Sequence, residues 1–178
     1  MKALGCIACA ALLGYAAVSC SSSPHEPSGD HDTSRVVYTT SFESARDTTG
    51  WIGITERMFQ SDPAPDCGNL SLHIGGGCIQ PTAYFVLPPR PYSAKYKISC
   101  WGRLDSTTQR GTLALTADAG NGSRREAALV VDSEEWTYFT SKDLLRCPAG
   151  QELRLEIRIG GFVAASMSVD CLTVEMVE

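Results

Sequence analysis

Two short runs of this chain put chemistry-bearing side chains at strand spacing. In Ser99-Cys100-Trp101-Gly102-Arg103, alternate residues of an extended chain share a face. Ser99, Trp101 and Arg103 therefore point outward if Ile98 and Cys100 point into a core. An aromatic ring beside a guanidinium is a platform for a sugar, whose CH face stacks on the ring while its hydroxyls meet polar groups. The competing parity buries Trp101 and leaves Cys100 outside. The second run is Arg154, Glu156 and Arg158, alternating with Leu153, Leu155, Ile157 and Ile159. One face of that strand is core and the other is wet. Arginine grips hydroxyl pairs or carboxylates through its planar fork, which extends the ligand range to acidic sugars. A solvated sheet face is the plainer reading of the same row. Trp51 and Tyr92 lie near loops, where they either rim a site or pack. Trp136 is expected as a core anchor.

Catalytic chemistry finds little support. The nucleophile elbow G-x-S-x-G, the zinc motif H-E-x-x-H and the phosphate loop G-x-x-x-x-G-K are all missing from the sequence. Gly75-Gly76-Gly77 precedes a strand and reads as a turn. Glu134 and Glu135 are adjacent, so on an extended chain they point oppositely and make no facing carboxyl pair. No C-x-x-C pair follows residue 20, and His73 is isolated, expected as a solvent-facing strand residue. His25, Asp30, His31 and Asp32 could bind a metal weakly but read first as a solvated linker.

These residues need a scaffold, and the scaffold signal is β throughout. From Val36 onward, alternating or β-rich segments recur about every 8–14 residues with turn chemistry between them. The expected strands are Val36–Phe42, Trp51–Phe59, Leu70–Ile74, Thr82–Leu87, Tyr96–Leu104, Thr112–Ala117, Arg124–Val131, Trp136–Thr140, Leu153–Ile159 and Ser166–Met176. Between them stand punctuators such as Asp62-Pro63-Ala64-Pro65, Pro88-Pro89-Arg90-Pro91 and Gly120-Asn121-Gly122. No amphipathic helix is expected beyond one turn at Lys142–Arg146. About ten antiparallel strands in one domain imply an all-β, two-sheet sandwich.

The order of several short motifs carries a resemblance across nearly the whole domain. Ser41-Phe42-Glu43 is followed by Gly50-Trp51, Gly68-Asn69-Leu70-Ser71-Leu72, Tyr96-Lys97-Ile98-Ser99-Cys100-Trp101, Glu135-Trp136-Thr137-Tyr138-Phe139 and Val169-Asp170-Cys171-Leu172-Thr173-Val174. This order resembles the jelly-roll carbohydrate-binding modules and the wider galactose-binding-domain-like superfamily. The resemblance implies an antiparallel jelly-roll β-sandwich and a glycan ligand, although the same fold serves modules that bind no sugar. Asp170 shares strand parity with Leu172, Val174 and Met176, so it is expected to point inward. Glu43 follows the apolar end of a strand at Phe42. An inward carboxylate is costly unless it is paired or holds a metal. The resemblance implies that Glu43 and Asp170 hold a structural calcium, an ion that takes about six to eight hard oxygens. The alternative is an Asp170 that accepts backbone hydrogen bonds in a turn, with Glu43 exposed.

The N-terminus reads as an address. Lys2, an apolar run from Ala3 to Val18 and Ser19-Cys20 make a signal peptide too short to span a membrane. Ala17-Val18-Ser19-Cys20 resembles a bacterial lipobox with Ala17 in place of the usual leucine, so residues 1–20 are expected to end in a lipidated Cys20. Cleavage by ordinary signal peptidase is the alternative. Residues 21–34 form a polar, disordered tether and 35–178 the folded domain. Cys6 and Cys9 leave with the signal. Cys67, Cys78, Cys100, Cys147 and Cys171 remain, an odd number, so at least one thiol stays free. Cys67 and Cys78 flank one short, turn-rich strand and are the expected disulfide, while Cys100 is expected as a small buried hydrophobe.

Net charge is −5, or −6 once Lys2 is removed, without a Lys/Arg cluster. That excludes nucleic acid as a natural partner. The expected partners are a glycan or polysaccharide and, through the lipid, the outer or cytoplasmic membrane of the cell envelope. The leading expectation is a non-catalytic, exported lipoprotein with a glycan-binding module. A structural or adhesion module binding a protein, and a small polysaccharide-degrading jelly-roll enzyme, are the alternatives.

Overall fold

The computed structural model describes residues 33–75, 82–105, 110–118, 123–160 and 166–178. The address, most of the tether and Cys78 lie outside the described residues. The strands are β1 (Ser34–Thr40), β2 (Trp51–Ile52), β3 (Phe59–Gln60), β4 (Ser71–Gly75), β5 (Thr82–Leu87) and β6 (Ala94–Leu104) in the first half. The second half supplies β7 (Arg110–Asp118), β8 (Arg124–Val131), β9 (Thr137–Thr140), β10 (Leu145–Cys147), β11 (Leu153–Gly160) and β12 (Ser166–Val177). All pairings are antiparallel.

The smaller sheet runs β2-β5-β11-β7-β8. In the larger sheet β12 is central, with β6 on one side and β1 and β4 on the other. The outer flank of β6 carries β9 and β10, and β3 extends β4. The sandwich buries one face of each sheet. Leu113, Leu115, Leu129, Leu155 and Ile157 of the smaller sheet join Ile98, Cys100, Leu104, Met167 and Val174 of the larger in one core. The sheets approach so closely at Gly111 that a Cβ there would lie 1.9 Å from Met167 Sδ. The Trp51 indole is buried and donates from Nε1 to Tyr38 Oη at 2.7 Å. Packing is thus the role of Trp51.

Two expected elements differ in detail. The Trp51–Phe59 segment breaks into two short strands, because Gly53 takes φ +90° and Glu56–Met58 forms a 3-10 turn. The single helical turn expected at Lys142–Arg146 does not form. Leu145–Cys147 pairs with Ala94–Tyr96 instead, burying Leu145 and Cys147 at alternate positions.

One irregularity decides where a site can stand. The register between β12 and β6 shifts between Asp170 and Thr173, and Cys171 takes φ +44°. A bulge of this kind re-aims side chains. Leu172, Val174 and Met176 therefore face the core, whereas Asp170 lies opposite Trp101 on the outer face. The inward Asp170 expected from simple alternation is corrected by this bulge.

Candidate functional site

Strand register across the smaller sheet builds rows of side chains on its outer face. One row is Ile52, Tyr84, Glu156, Ala114 and Ala128, and the next is Val86, Arg154, Thr116 and Glu126. Arg158 and Thr112 lie in a third. Small residues on β7 and β8 leave a trough beside the taller tyrosine and arginines of β5 and β11. At one end opens a cleft of about 490 Å³, lined by Thr116, Asp118, Ser123, Arg124, Gln151 and Arg154 among others.

Glu156 is the electrostatic centre of this face. It is only 4% exposed although it points outward, because side chains from three strands close over it. Arg158 donates to its Oε2 from Nε at 2.8 Å and again from Nη2, Arg124 pairs with Oε1, and the Thr116 hydroxyl donates to Oε1 at 3.3 Å. Arg158 also reaches Glu126 at 3.0 Å. Burial raises the Glu156 pKa, but the hydrogen bonds and charges of Arg158 and Arg124 outweigh it and hold the carboxyl below its ordinary range. A depressed carboxyl stabilises the fold above its ordinary value of 4.5, and that contribution is lost as pH falls through its lower folded value. Glu156→Gln is therefore expected to be less stable than wild type at pH 7, with the gap closing toward pH 3. Urea midpoints across that range measure it, and a gap independent of pH would contradict the assignment.

Arg154 is placed differently. Its guanidinium lies over the Tyr84 ring at 4.6 Å and comes no closer than 4.0 Å to Glu156. Among the described residues it donates no side-chain hydrogen bond, and it is 40% exposed. Stacking fixes the fork while its donors remain available. Arg158 and Arg124 are already matched by Glu156 and Glu126, and Asp118 lines the cleft. The face is near electrical balance.

The structure does not bring the four expected binding residues together. Arg154 and Arg158 share the outer face of the smaller sheet, but Trp101 and Arg103 stand on the outer face of the larger one. There Trp101 meets Tyr138 edge-on at 5.8 Å. Arg103 pairs with Asp62 and lies 5.2 Å over the Trp136 ring. Trp136 is thus not the core anchor. Phe139, three residues on and of opposite parity, packs against the core. His73 is on this outer face as expected, with Nδ1 3.1 Å from the Ser168 hydroxyl. Sequence reasoning also left out Tyr84, Thr116 and Arg124. Tyr84 carried a signal, since it alternates with Ala83, Phe85 and Leu87. Arg124 carried none, because only the β7–β8–β11 register brings it to Glu156.

The third locus holds Glu43 and Asp170. The segment between β3 and β4 covers Asp170, which is 0% exposed. The amides of Ala64 and Cys171 donate to its oxygens at 3.0 and 2.7 Å. Burial pushes its pKa up to about 6 against those hydrogen bonds, and the Glu43 charge adds to the rise. Glu43 accepts from the amides of Asn69 and Leu70, each at 2.9 Å. Gly68, at φ +107°, lies flat against that carboxylate, where a Cβ would come within 2.4 Å of Oε1. No lysine or arginine pairs with either acid among the described residues. The Glu43 charge bears on Asp170, and the hydrogen bonds of Leu70 and Asn69 hold the Glu43 carboxyl below its ordinary range; two carboxylates without a cationic side chain are the chemistry that could hold a hard divalent cation.

Beside them lies a correction. Cys67 is bonded to Cys171, with Cα atoms 5.7 Å apart, and not to Cys78. The bulge turns Cys171 out of β12, and the turn at Asp66, φ +61°, delivers Cys67 onto it. Cys67, Asp170 and Cys171 also cluster closely, but the two sulfurs are joined to each other and are not metal ligands. Cys100 is fully buried, as expected, and burial pushes its thiol pKa up.

This architecture is the jelly-roll β-sandwich of carbohydrate-binding modules. The chain is similar to the CBM22-1 xylan-binding domain from Paenibacillus barcinonensis, with TM-score 0.59 and 19% identity, covering 83% of this chain and 97% of that one. A second xylan-binding domain of the CBM22 type gives TM-score 0.53 at 14% identity, over 80% of this chain and 94% of that one. A family 11 module from Clostridium thermocellum, in complex with a β-1,3-1,4-mixed-linked tetrasaccharide, gives TM-score 0.51 at 11% identity, over 79% and 94%. No protein-family model and no curated protein matches the sequence. At these identities the likeness establishes the fold.

Proposed function

We propose that this chain is a non-catalytic glycan-binding module, exported and held at the cell envelope by lipid on Cys20. The observation that carries the reading is the Tyr84–Arg154 stack beside a cleft on the outer face of the smaller sheet. It offers a guanidinium with available donors at the edge of that cleft. Such a site suits a neutral polysaccharide whose hydroxyls pair with the Arg154 fork, which the Tyr84 ring beneath it holds flat. The solved structures of this fold named for xylan binding and for a complex with a β-1,3-1,4-mixed-linked tetrasaccharide support the ligand class. Isothermal titration with xylan, xylohexaose and mixed-linkage β-glucan, backed by a glycan array, tests it. Saturable binding that changes little with salt is expected. No binding to any glycan class by the folded protein would overturn it.

The lipid anchor rests on Ala17-Val18-Ser19-Cys20 and the polar segment after it. Two or three acyl chains hold a protein on a bilayer where one chain binds only marginally. Metabolic labelling with palmitate should mark the wild type and not Cys20→Ala, which should leave the membrane fraction. An unlabelled wild type would point to ordinary secretion.

Glu43 and Asp170 would hold a structural calcium. The ion would tie the β1 end and the 61–70 segment to β12. Added calcium is expected to raise the melting temperature by several degrees, and EDTA to reverse this. Glu43→Ala and Asp170→Ala should remove the response. A melting temperature indifferent to calcium in the wild type would refute the site.

A further inference from the structure

Two proline-rich turns meet at one end of the sandwich. Pro88-Pro89-Arg90-Pro91 follows β5, and Pro148-Ala149-Gly150 follows β10. The Gly150 amide donates to the Arg90 carbonyl at 2.7 Å, and the Ala149 amide to the Ser93 hydroxyl at 3.3 Å. Proline fixes φ, so the turns are stiff as well as joined. Beside them, where the two sheets end, lies a cavity of about 230 Å³. Val37, Tyr96 and Cys147 of the larger sheet and Leu87 and Leu153 of the smaller line it, together with prolines of both turns.

Among the described residues that line this cavity, Arg90 alone carries a charge. Its guanidinium donates from Nη1 to Tyr92 Oη at 2.9 Å and lies over the Tyr92 ring. That ring is 48% exposed, which places the pair at the mouth. Burial raises the pKa of the Tyr96 phenol on the cavity wall, and the Arg90 charge opposes the rise. Arg103, Arg124 and Arg158 are matched by Asp62, Glu156 and Glu126. No carboxylate pairs with Arg90 among the described residues. The result is an apolar cavity with an unmatched cation at its entrance.

We infer that this cavity binds a small carboxylic acid with an apolar body. The body would lie between Val37, Leu87 and Leu153, and the carboxylate would sit on the Arg90 fork. Volume sets the size. A cavity of about 150 Å³ holds benzene, so the larger space takes one ring with a short arm. Charge sets the class. A guanidinium and a carboxylate pair through two parallel hydrogen bonds, which a neutral apolar molecule cannot supply. A sugar fits poorly, because its hydroxyls would face aliphatic walls without partners. The site is distinct from the glycan cleft and does not rest on that reading. Gln151 borders both, but Thr116 and Arg154 do not line the cavity.

Titration calorimetry of the full protein with 3-phenylpropionate and with hexanoate tests this, with 3-phenylpropionamide as the neutral control. One equivalent of at least one acid should bind, and the amide should bind at least about tenfold more weakly. Arg90→Met should weaken the acid at least about tenfold while leaving the urea midpoint and glycan binding unchanged. The two buried free thiols report the location. Cys147 lines the cavity, whereas Cys100 is fully buried in the core. Iodoacetamide, mapped by mass spectrometry, should modify Cys147 before Cys100, and the bound acid should slow Cys147 alone. No binding of either acid by the folded protein overturns the site and leaves the glycan reading standing. Equal binding of acid and amide overturns the ligand class. Binding that survives Arg90→Met, or a Cys147 whose labelling matches Cys100 or ignores the bound acid, overturns the location.

Discussion

Replacing Cys67 and Cys171 by serine is expected to lower the unfolding free energy by about 2–5 kcal/mol. The bond joins residues 104 apart in sequence, from the segment ahead of β4 to the bulge midway along β12. Chain-entropy reasoning gives about 4.7 kcal/mol for a closed loop of roughly 100 residues, and native domains hold only about 5–15 kcal/mol in total. The bond also fixes local geometry. Cys171 and Asp66 both have positive φ, which non-glycine residues adopt at a cost, and the disulfide pins the two segments that hold them. Asp170 then loses its cover as well, since the Ala64 amide comes from the same segment. The free thiols Cys100 and Cys147 are buried and offer no replacement partner. Urea unfolding of the wild type against Cys67→Ser/Cys171→Ser measures the difference. Equal stability would mean that these cysteines are not bonded in the exported protein.

The second large effect is on ligand binding. Tyr84→Ala and Arg154→Met are each expected to weaken glycan binding by tenfold or more, with little change in unfolding free energy. Arg154 makes no ion pair closer than 4.0 Å, and the Tyr84 ring is a sheet-face side chain outside the core cluster. Truncating either leaves no buried group unpaired. Arg154→Lys should fail to rescue, because an ammonium has neither the fork nor the flat stacking surface. Glu156→Gln should instead lose stability along with affinity, since Arg124 and Arg158 are organised on its charge. Titration calorimetry paired with urea melts separates these cases. Unchanged affinity in both Tyr84→Ala and Arg154→Met would remove the smaller sheet's face from the account.

Much of this fold was legible because its signal is local. Alternation in Leu153–Ile159 correctly marked a strand and its inner face, and Arg124–Val131 is a strand as expected. The outward parity of Trp101, Arg103, Arg154 and Arg158 followed from the same period of two. What failed depends on one residue of offset or on distant pairing. The bulge at Cys171 shifts parity within an otherwise regular strand, so Asp170 changes side while Leu172, Val174 and Met176 keep theirs. Nothing in the spacing of Cys67 points to a partner 104 residues away. The motif around Trp136 misled because Phe139, of opposite parity, fills the core in its place. Above all, two strands of the same outward parity can belong to opposite sheets. That is why the aromatic–arginine pair on β6 and the arginine row on β11, both read as outward, stand on two faces.

Backbone amide shifts recorded while a bound glycan is titrated into the protein test the central claim most directly. The account predicts that the largest perturbations include β5, β7 and β11 around Tyr84, Thr116 and Arg154. A glycan that binds and leaves those amides unmoved would contradict it.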